Sequence, residues 1–351
     1  MTDRTIGAGD LCVVTGAGGF IGSAVTRALL ERGARVRCLV EPGRASPNLT
    51  GLGVELVEAD VRDLEAVTRG VDGARWCFHL AALFGFWPRD PALFYAINVE
   101  GSINTVRAAW EAGCERIVYT STVATIGLER TRDGEAANEA DVARVEHLHG
   151  SYKRTKYVAE HEVLRLGAQG APVVLVQPSF PVGPGDERPT PTGKVVLDFL
   201  NAKMPGYVNT SFNVAHVDDL ATGHLLALER GRQGTSYICG GENMTMDVLL
   251  GTLAEVSGLP FHDRRFPNAL ALGAGWVSEQ VEGRLLGRQP HVPLEAAQMS
   301  ATQMRFDDAR ARAELGYTSR PARQALYDAA AWFAQSGRVS AKRLQAMTLS
   351  P

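Results

Sequence analysis

The sequence predicts an α/β protein: a doubly wound parallel sheet with a smaller, mostly helical C-terminal domain that would hold a substrate. Three observations carry that prediction. From Leu11 to about Ser121 short apolar runs alternate with helical patterns, as repeated strand–helix–strand units require. A glycine-rich turn, Val14-Thr15-Gly16-Ala17-Gly18-Gly19-Phe20-Ile21-Gly22, joins the first apolar run to the first helical pattern. The 351 residues, 45% hydrophobic and 21% charged, suffice for one large domain with a second built on it.

Taken in order, the apolar runs predict strands at 11–15, 35–40, 54–58, 75–80, 116–121 and 173–177. Helical spacing predicts helices over 20–32, 64–69 and 91–112, and later near 195–203 and over 220–229. Right-handed crossovers then place helices on both faces, and ligands belong at the carboxyl ends of the strands. This divides the chain into a dinucleotide-binding domain over 8–178, a substrate-binding part over 179–335, and a tail over 336–351. Residues 214–240 are expected to return to the main sheet. Proline and glycine crowd the loop 178–193, which suits a stiffened wall over the cleft more than a regular element.

Composition excludes several function classes. A net charge of −3 gives no basis for nucleic-acid binding, and no apolar stretch is long enough for a membrane span. The polar residues 1–10 do not read as a secretory leader, so none is expected. The five cysteines (Cys12, Cys38, Cys77, Cys114, Cys239) are scattered without a C-x-x-C pair, which predicts a reduced, cytoplasmic protein. No Gly-x-Ser-x-Gly elbow and no His-Glu-x-x-His occur, so hydrolase and metal chemistry are not expected and no metal ligands are assigned.

The glycine turn fits a dinucleotide. Gly16 permits the tight turn, Gly19 lets the backbone approach a pyrophosphate, and Gly22 lets the helix pack on the strand. The amides around Phe20 and Ile21 and the positive end of the helix dipole would face the phosphates. Glu41, at the end of the second strand, has the position and charge that favour ribose hydroxyls over a 2′-phosphate. NAD(H) is therefore preferred, while nearby Arg44 keeps NADP(H) open. Asp60 and Val61 follow the third strand; Asp60 either contacts the adenine or caps the helix beginning near Leu64. After the fourth strand, Leu80, Ala81 and Ala82 would let the backbone run past the cofactor. Phe84, Phe86 and Trp87 would wall a substrate pocket or else belong to the core. Asn98 follows on the next helix.

The fifth strand ends in three hydroxyls, Thr120-Ser121-Thr122, and Ser151-Tyr152-Lys153-Arg154-Thr155-Lys156 opens a helix about thirty residues later. Tyr152 and Lys156 are neighbours on one helical face. A lysine cation and a nicotinamide charge would lower the phenol from its ordinary value of about 10. Tyr152 could then exchange a proton with a carbonyl oxygen held by Thr122, while Lys156 binds the nicotinamide ribose.

With these residues the chain resembles the extended short-chain dehydrogenase/reductase family over nearly its whole length, to about Phe333. The family's Thr-Gly-x-x-Gly-x-x-Gly fingerprint matches Thr15 to Gly22, which implies a Rossmann-type fold. Its catalytic Ser/Thr, Tyr and Lys fall on Thr122 (with Ser121 also a candidate), Tyr152 and Lys156, and its asparagine falls on Asn98. Pro178, Ser179 and Phe180 join the implied cofactor contacts, and Val123 joins the implied substrate contacts. Within the family the chain is most similar to the dihydroflavonol-reductase-like and hopanoid-associated sugar epimerase-like branch, through Pro178–Pro184, Pro189–Gly193 and His216-Val217-Asp218-Asp219. The resemblance also implies a homodimer.

Reductase and epimerase use the same three residues, so the substrate half decides. Members that take nucleotide sugars carry an arginine shortly before the His-Val-Asp segment, where this chain has Phe212. No Arg or Lys occurs between Lys203 and Arg230. That predicts a small, apolar or aromatic substrate, with Phe180 and Phe212 as further contacts, and a reductase–dehydrogenase. An epimerase with tightly held NAD is the alternative, and a non-catalytic NAD sensor would have no need of the three residues. A dehydratase would want a carboxylate directly after the hydroxyls, where Val123 and Ala124 stand.

Overall fold

The computed structural model describes residues 4–85, 90–288, 290–291, 294–300 and 302–351. The first half alternates strand and helix: β1 (Leu11–Thr15), α1 (Phe20–Glu31), β2 (Arg35–Val40), β3 (Glu55–Glu58), α2 (Leu64–Val71), β4 (Trp76–His79), α3 (Pro91–Tyr95), α4 (Gly101–Glu111), β5 (Arg116–Thr120), α5 (Ser151–Ala168) and β6 (Val173–Pro178). The second half contains β7 (Phe180–Val182), α6 (Pro191–Leu200), β8 (Tyr207–Val208), β9 (Ser211–His216), α7 (Val217–Arg230), β10 (Ser236–Cys239), β11 (Glu242–Thr245), α8 (Met246–Ser257), β12 (Arg265–Phe266), α9 (Asn268–Ser278), α10 (Leu294–Ser300), α11 (Ala322–Gln335) and α12 (Ala341–Ala346).

Seven parallel strands form the main sheet in the order β10-β6-β5-β4-β1-β2-β3. The order reverses between β1 and β4, where Thr15 lies opposite His79, and a crevice at the carboxyl ends of these strands is where such sheets bind ligands. Both faces are covered. One core packs α1 and α7 on Val14, Trp76, Phe78 and Val176; the other packs α2, α4 and α5 on Val13, Cys77, Ile117, Tyr119 and Leu175. All five cysteines are buried free thiols, as small apolar residues in or beside strands should be. Among the described residues no helix is long and apolar enough to cross a membrane.

Three elements differ from expectation. The helix predicted over 91–112 is interrupted by a π-helical turn, Ala96–Glu100, which separates α3 from α4. The wide turn carries Asn98, whose side chain is held by three hydrogen bonds, and such bulges concentrate where a side chain must be aimed. The loop 178–193 contains β7, and α6 starts earlier than predicted because the Thr190 hydroxyl accepts from the Gly193 N–H with Pro191 in the first turn. The second lobe is mostly helical, as expected, and holds short strands as well. It carries the sheet β11-β9-β7 and the pair β12-β8, on which Phe199, Leu253, Leu326 and Phe333 pack a third core.

Residues 336–351, set apart as a tail, are fastened to this lobe. Val339 is buried, α12 lies within the segment, and the Thr348 and Ser350 amides donate to Ser257 and Val256 carbonyls. The His216-Val217-Asp218-Asp219 segment ties the lobes together. His216 caps α7 by accepting from the Asp218 N–H, and its Nε2 lies 3.1 Å from Asp328 on α11. Asp219 accepts from the Arg320 amide (2.8 Å) and its Nε (2.9 Å).

Candidate active site

The glycine turn is shaped for a phosphate. Gly16 has φ +67°, and a Cβ there would lie 2.6 Å from the Ala81 amide nitrogen just beyond β4. At Gly22 a Cβ would lie 2.1 Å from the Gly16 carbonyl oxygen, so only glycine lets α1 approach the turn. Gly19 begins α1 with no side-chain cap, and the first turn holds no acidic residue. The N-terminal amides, those of Phe20 and Ile21 included, therefore remain free for an anion. These features fit a dinucleotide pyrophosphate.

At the rim, Glu41 and Arg44 form an exposed ion pair with each other, so the two residues expected to favour opposite cofactors neutralise one another. Asp60 binds the Arg62 amide and guanidinium. The helix cap, one of the two roles left open for it, is supplied by Asp63, which accepts from the Ala66 N–H at 3.1 Å. Three residues nearer the helix, Asp63 is the one placed to reach its third amide. Val61 is buried beside it. Leu80 and Ala81 are half-buried and Ala82 is exposed past β4.

Hydrogen bonding orders this strand end. Ser102 donates to the Asn98 carbonyl (2.6 Å), so His79 Nε2–H donates to Ser102 (3.1 Å) and His79 Nδ1 accepts from Thr15 (2.7 Å). Thr15 in turn accepts from the Ala81 N–H (3.2 Å). Burial first, and the Lys156 charge second, push His79 down to about 3, so it is a neutral link and not an acid–base group. Asn98 spends both amide hydrogens, on the Leu83 carbonyl and on Thr155 (3.0 Å each), and accepts from the Leu83 N–H (2.7 Å). It fastens the strand-end loop to α5 and touches neither Tyr152 nor Lys156 through these bonds.

The three hydroxyls ending β5 part company. Thr120 donates to His224 Nε2 (2.9 Å), since His224 Nδ1–H is engaged by the Leu220 carbonyl. Ser121 donates to the buried carboxylate of Glu160, which also accepts from Thr125 (2.9 Å) and Gln177 (3.2 Å). Thr122 alone reaches Tyr152, and its hydrogen bond draws the phenol's pKa down. Burial outweighs that bond and pushes Tyr152 up to about 12. The lowering expected from Lys156 is thus not supplied within the protein. Lys156 donates instead to the Tyr119 hydroxyl (2.9 Å) and the Thr120 carbonyl (2.8 Å), and burial pushes its ammonium down to about 7.

Phe84 packs its ring edge-to-face on Tyr152, with centroids 4.3 Å apart, and remains 42% exposed, as a wall of the cleft should be. Phe86 and Trp87 lie outside the described residues. Val123 is half-buried directly after Thr122. Pro178 ends β6, and the buried Ser179 hydroxyl has no hydrogen-bond partner among the described residues. Phe212 is buried in the core of the second lobe, with the half-buried Phe180 ring 4.5 Å from it. Three residues escaped the sequence reading. Glu160 was legible in principle, as the next same-face position after Tyr152 and Lys156; Gln177 and Thr125 join it only through the fold.

Residues 12–240 match the family described as NAD dependent epimerase/dehydratase. A putative dihydroflavonol 4-reductase of Synechocystis sp. is 42% identical over 94% of this chain and 96% of its own length. The sterol demethylase protein B of Methylococcus capsulatus is 31% identical over 93% of this chain and 99% of its own. Among solved structures, gox2253 superimposes with a TM-score of 0.84 at 43% identity, covering 94% of this chain and 100% of that one.

Proposed function

The chain belongs to the NAD dependent epimerase/dehydratase family, the extended short-chain dehydrogenase/reductases, and from that membership we propose that it is an NADH-preferring carbonyl reductase of a small, largely apolar substrate. The observation that carries this reading is the Thr122–Tyr152 pair beneath Phe84. Tyr152, pushed up to about 12, keeps its proton at neutral pH and is set to give it away. The nicotinamide, when bound, would supply a hydride for the carbonyl carbon. Tyr152 Oη gives its proton to the carbonyl oxygen as that oxygen gains charge, and the Thr122 hydroxyl holds the same atom. The product is the alcohol. Lys156 keeps one ammonium hydrogen beyond its two bonds to the end of β5, which is available for a ribose hydroxyl.

The absence of any Arg or Lys from 204 to 229, with Phe212 buried there, supports an uncharged substrate over a sugar diphosphate. The relative named as a reductase supports the same direction. An epimerase is the second reading, favoured by the family's breadth.

Release and exchange of nucleotide from purified protein separate the two. Freely exchanging NADH supports the reductase, and NAD that co-purifies and does not exchange supports the epimerase. Tyr152→Phe should retain NADH binding and lose turnover of an aryl ketone by roughly 10²-fold or more. Turnover near wild type would put the proton donor elsewhere.

A further inference from the structure

One helix of the second lobe wears its apolar residues on the outside. α9 runs directly into a π turn, Glu279–Leu285, and the two form one helical segment about 25 Å long. Leu270, Trp276, Val277, Val281 and Leu285 are exposed along it, with Leu286 just beyond; Trp276 is 58% exposed and Leu285 78%. The polar residues of the same segment turn the other way. Ser278 and Glu282 are half-buried and bonded to each other, and Glu279 is half-buried too. Glu282 also accepts from the His291 N–H at 2.7 Å. A surface helix normally does the reverse, and monomeric proteins rarely leave so long an apolar stripe in water.

Gly275, on the inner face, fixes where the stripe lies. It is buried against α10: a Cβ there would lie 2.9 Å from the Ala297 Cβ and 3.2 Å from the Leu294 Cα. α10 in turn sits on the start of α5. The Glu295 carboxyl group fills the space that a side chain on Gly150 would need, 1.9 Å from its Cβ position, and Gly150 stands two residues before Tyr152. The exposed stripe is therefore the outer surface of the layer that packs on the helix carrying Tyr152.

Charge decides what covers it. Both ends of the stripe are basic: Arg264 precedes it, and Arg284 and Arg288 close it. All three are exposed, and none has an ion pair among the described residues. The acids within the segment, Glu279 and Glu282, are the half-buried ones. A second copy of the chain docked by this face about a two-fold axis would set arginines against arginines, whether the helices ran parallel or antiparallel. An anionic surface meets both ends favourably, and a tryptophan suits the boundary between lipid tails and headgroups. The segment is too short and too charged to cross a bilayer, so it would lie along one.

We propose that this segment is a docking surface for an anionic lipid bilayer, with Trp276, Val277, Val281 and Leu285 among the lipid tails and Arg284 and Arg288 against the headgroup phosphates. A bilayer is also where a largely apolar substrate collects; that clause alone rests on the reductase reading above, and the docking surface stands without it.

Flotation of the full chain with vesicles tests it, one set made of phosphatidylcholine and the other of equal parts phosphatidylcholine and phosphatidylglycerol. Wild-type protein should bind the anionic vesicles about tenfold or more tighter than the neutral ones, and less tightly as salt rises. Trp276→Gln with Leu285→Gln should weaken binding to the anionic vesicles about tenfold or more. Arg284→Gln with Arg288→Gln should bring the two vesicle types within about threefold of each other. Every side chain changed is exposed, so the melting temperature should stay within about 2 °C of wild type.

Wild-type protein that floats with neither vesicle overturns the proposal, as does binding that Trp276→Gln with Leu285→Gln leaves unchanged. Self-association without lipid, read by sedimentation and abolished by that same pair, overturns it in favour of a second copy of the chain. If the glutamine pair does not fold, the salt dependence and the arginine pair decide. No carbonyl substrate enters the measurement, so failure of ketone reduction overturns the reductase reading and leaves the docking surface standing.

Discussion

Tyr152 and Lys156 stand one helical turn apart on α5, yet they bind different residues at and just beyond the end of β5. Tyr152 bonds to Thr122, while Lys156 donates to Tyr119 and to the Thr120 carbonyl. Helical spacing brings the two side chains to one face, and the strand end then assigns them different partners. The lysine thus fixes the strand from which the threonine projects, and its influence on the phenol passes through that strand and not through a direct bond.

The divergence of the three hydroxyls makes the first prediction. Thr122→Ala should reduce kcat roughly a hundredfold with little change in melting temperature, because it removes a bond to the reacting oxygen. Ser121→Ala should do the opposite: it leaves the buried Glu160 carboxylate one donor short, at about 1–3 kcal/mol, while kcat changes little. Steady-state kinetics and thermal melts on both variants check this. A kcat loss in Ser121→Ala matching that of Thr122→Ala would reverse the assignment.

Two glycines of the turn should separate stability from cofactor affinity. In Gly22→Ala the new Cβ meets a backbone oxygen at 2.1 Å, so the melting temperature should fall by roughly 3 °C or more. In Gly19→Ala the nearest atom is 3.1 Å away, so the fold should hold while NADH binding weakens. Equal melting losses in the two variants would show that the close approach at Gly22 is relieved by movement.

Cofactor choice should depend on Glu41. Its pair with Arg44 is exposed on both sides, 57% and 52%, and such pairs contribute at most about 1 kcal/mol. Glu41→Gln should therefore leave the melting temperature within about 2 °C while raising the NADPH/NADH ratio of kcat/KM about tenfold. An unchanged ratio would reduce Glu41 to a surface charge.

The buried histidines predict acid sensitivity. Burial holds His79 near 3 and His224 near 4, both below the ordinary 6.5. As pH falls below about 6.5 the unfolded chain binds protons that the folded chain refuses, so stability declines from there toward pH 4. The Glu295 carboxyl, raised to about 7, has the opposite dependence between 4.5 and 7, so the comparison must be made by variant. His224→Gln, less stable overall, should show a shallower fall in melting temperature between pH 7 and 5 than wild type. Parallel curves would mean that His224 does not carry its share.

Much of the main sheet was legible. The ranges predicted for β1 and β2 are those observed: β1 is an apolar run ending in Thr15, and β2 alternates Arg35 and Arg37 with Val36 and Cys38 before Leu39 and Val40. β4 and β5 end sooner than predicted, where the ladder to their neighbours stops. The π turn at Asn98 leaves no periodic trace, since one added residue does not alter the apolar stripe on either side. β7 was unreadable because Pro181 sits at its centre, and its pairing with β9 comes from the fold. Spacing on adjoining elements singled out Tyr152 and Lys156, the family resemblance added Thr122, and the fold brings Thr122 and Tyr152 into contact.

The register that joins Leu175 to Ser236 and Pro178 to Cys239 sets an order for synthesis. The chain leaves the main sheet after β6 and returns only at β10, having laid down β7, α6, β8, β9 and α7 in between. A ribosome adding about 5–20 residues per second therefore holds β6 with an open edge for several seconds. During that interval the growing chain displays an unfilled, largely apolar strand, the kind of edge that invites pairing with a neighbour. The first part of the second lobe, β7 to β9, is thus an insertion that delays completion of the main sheet, and its speed of collapse bears on the yield of the whole protein.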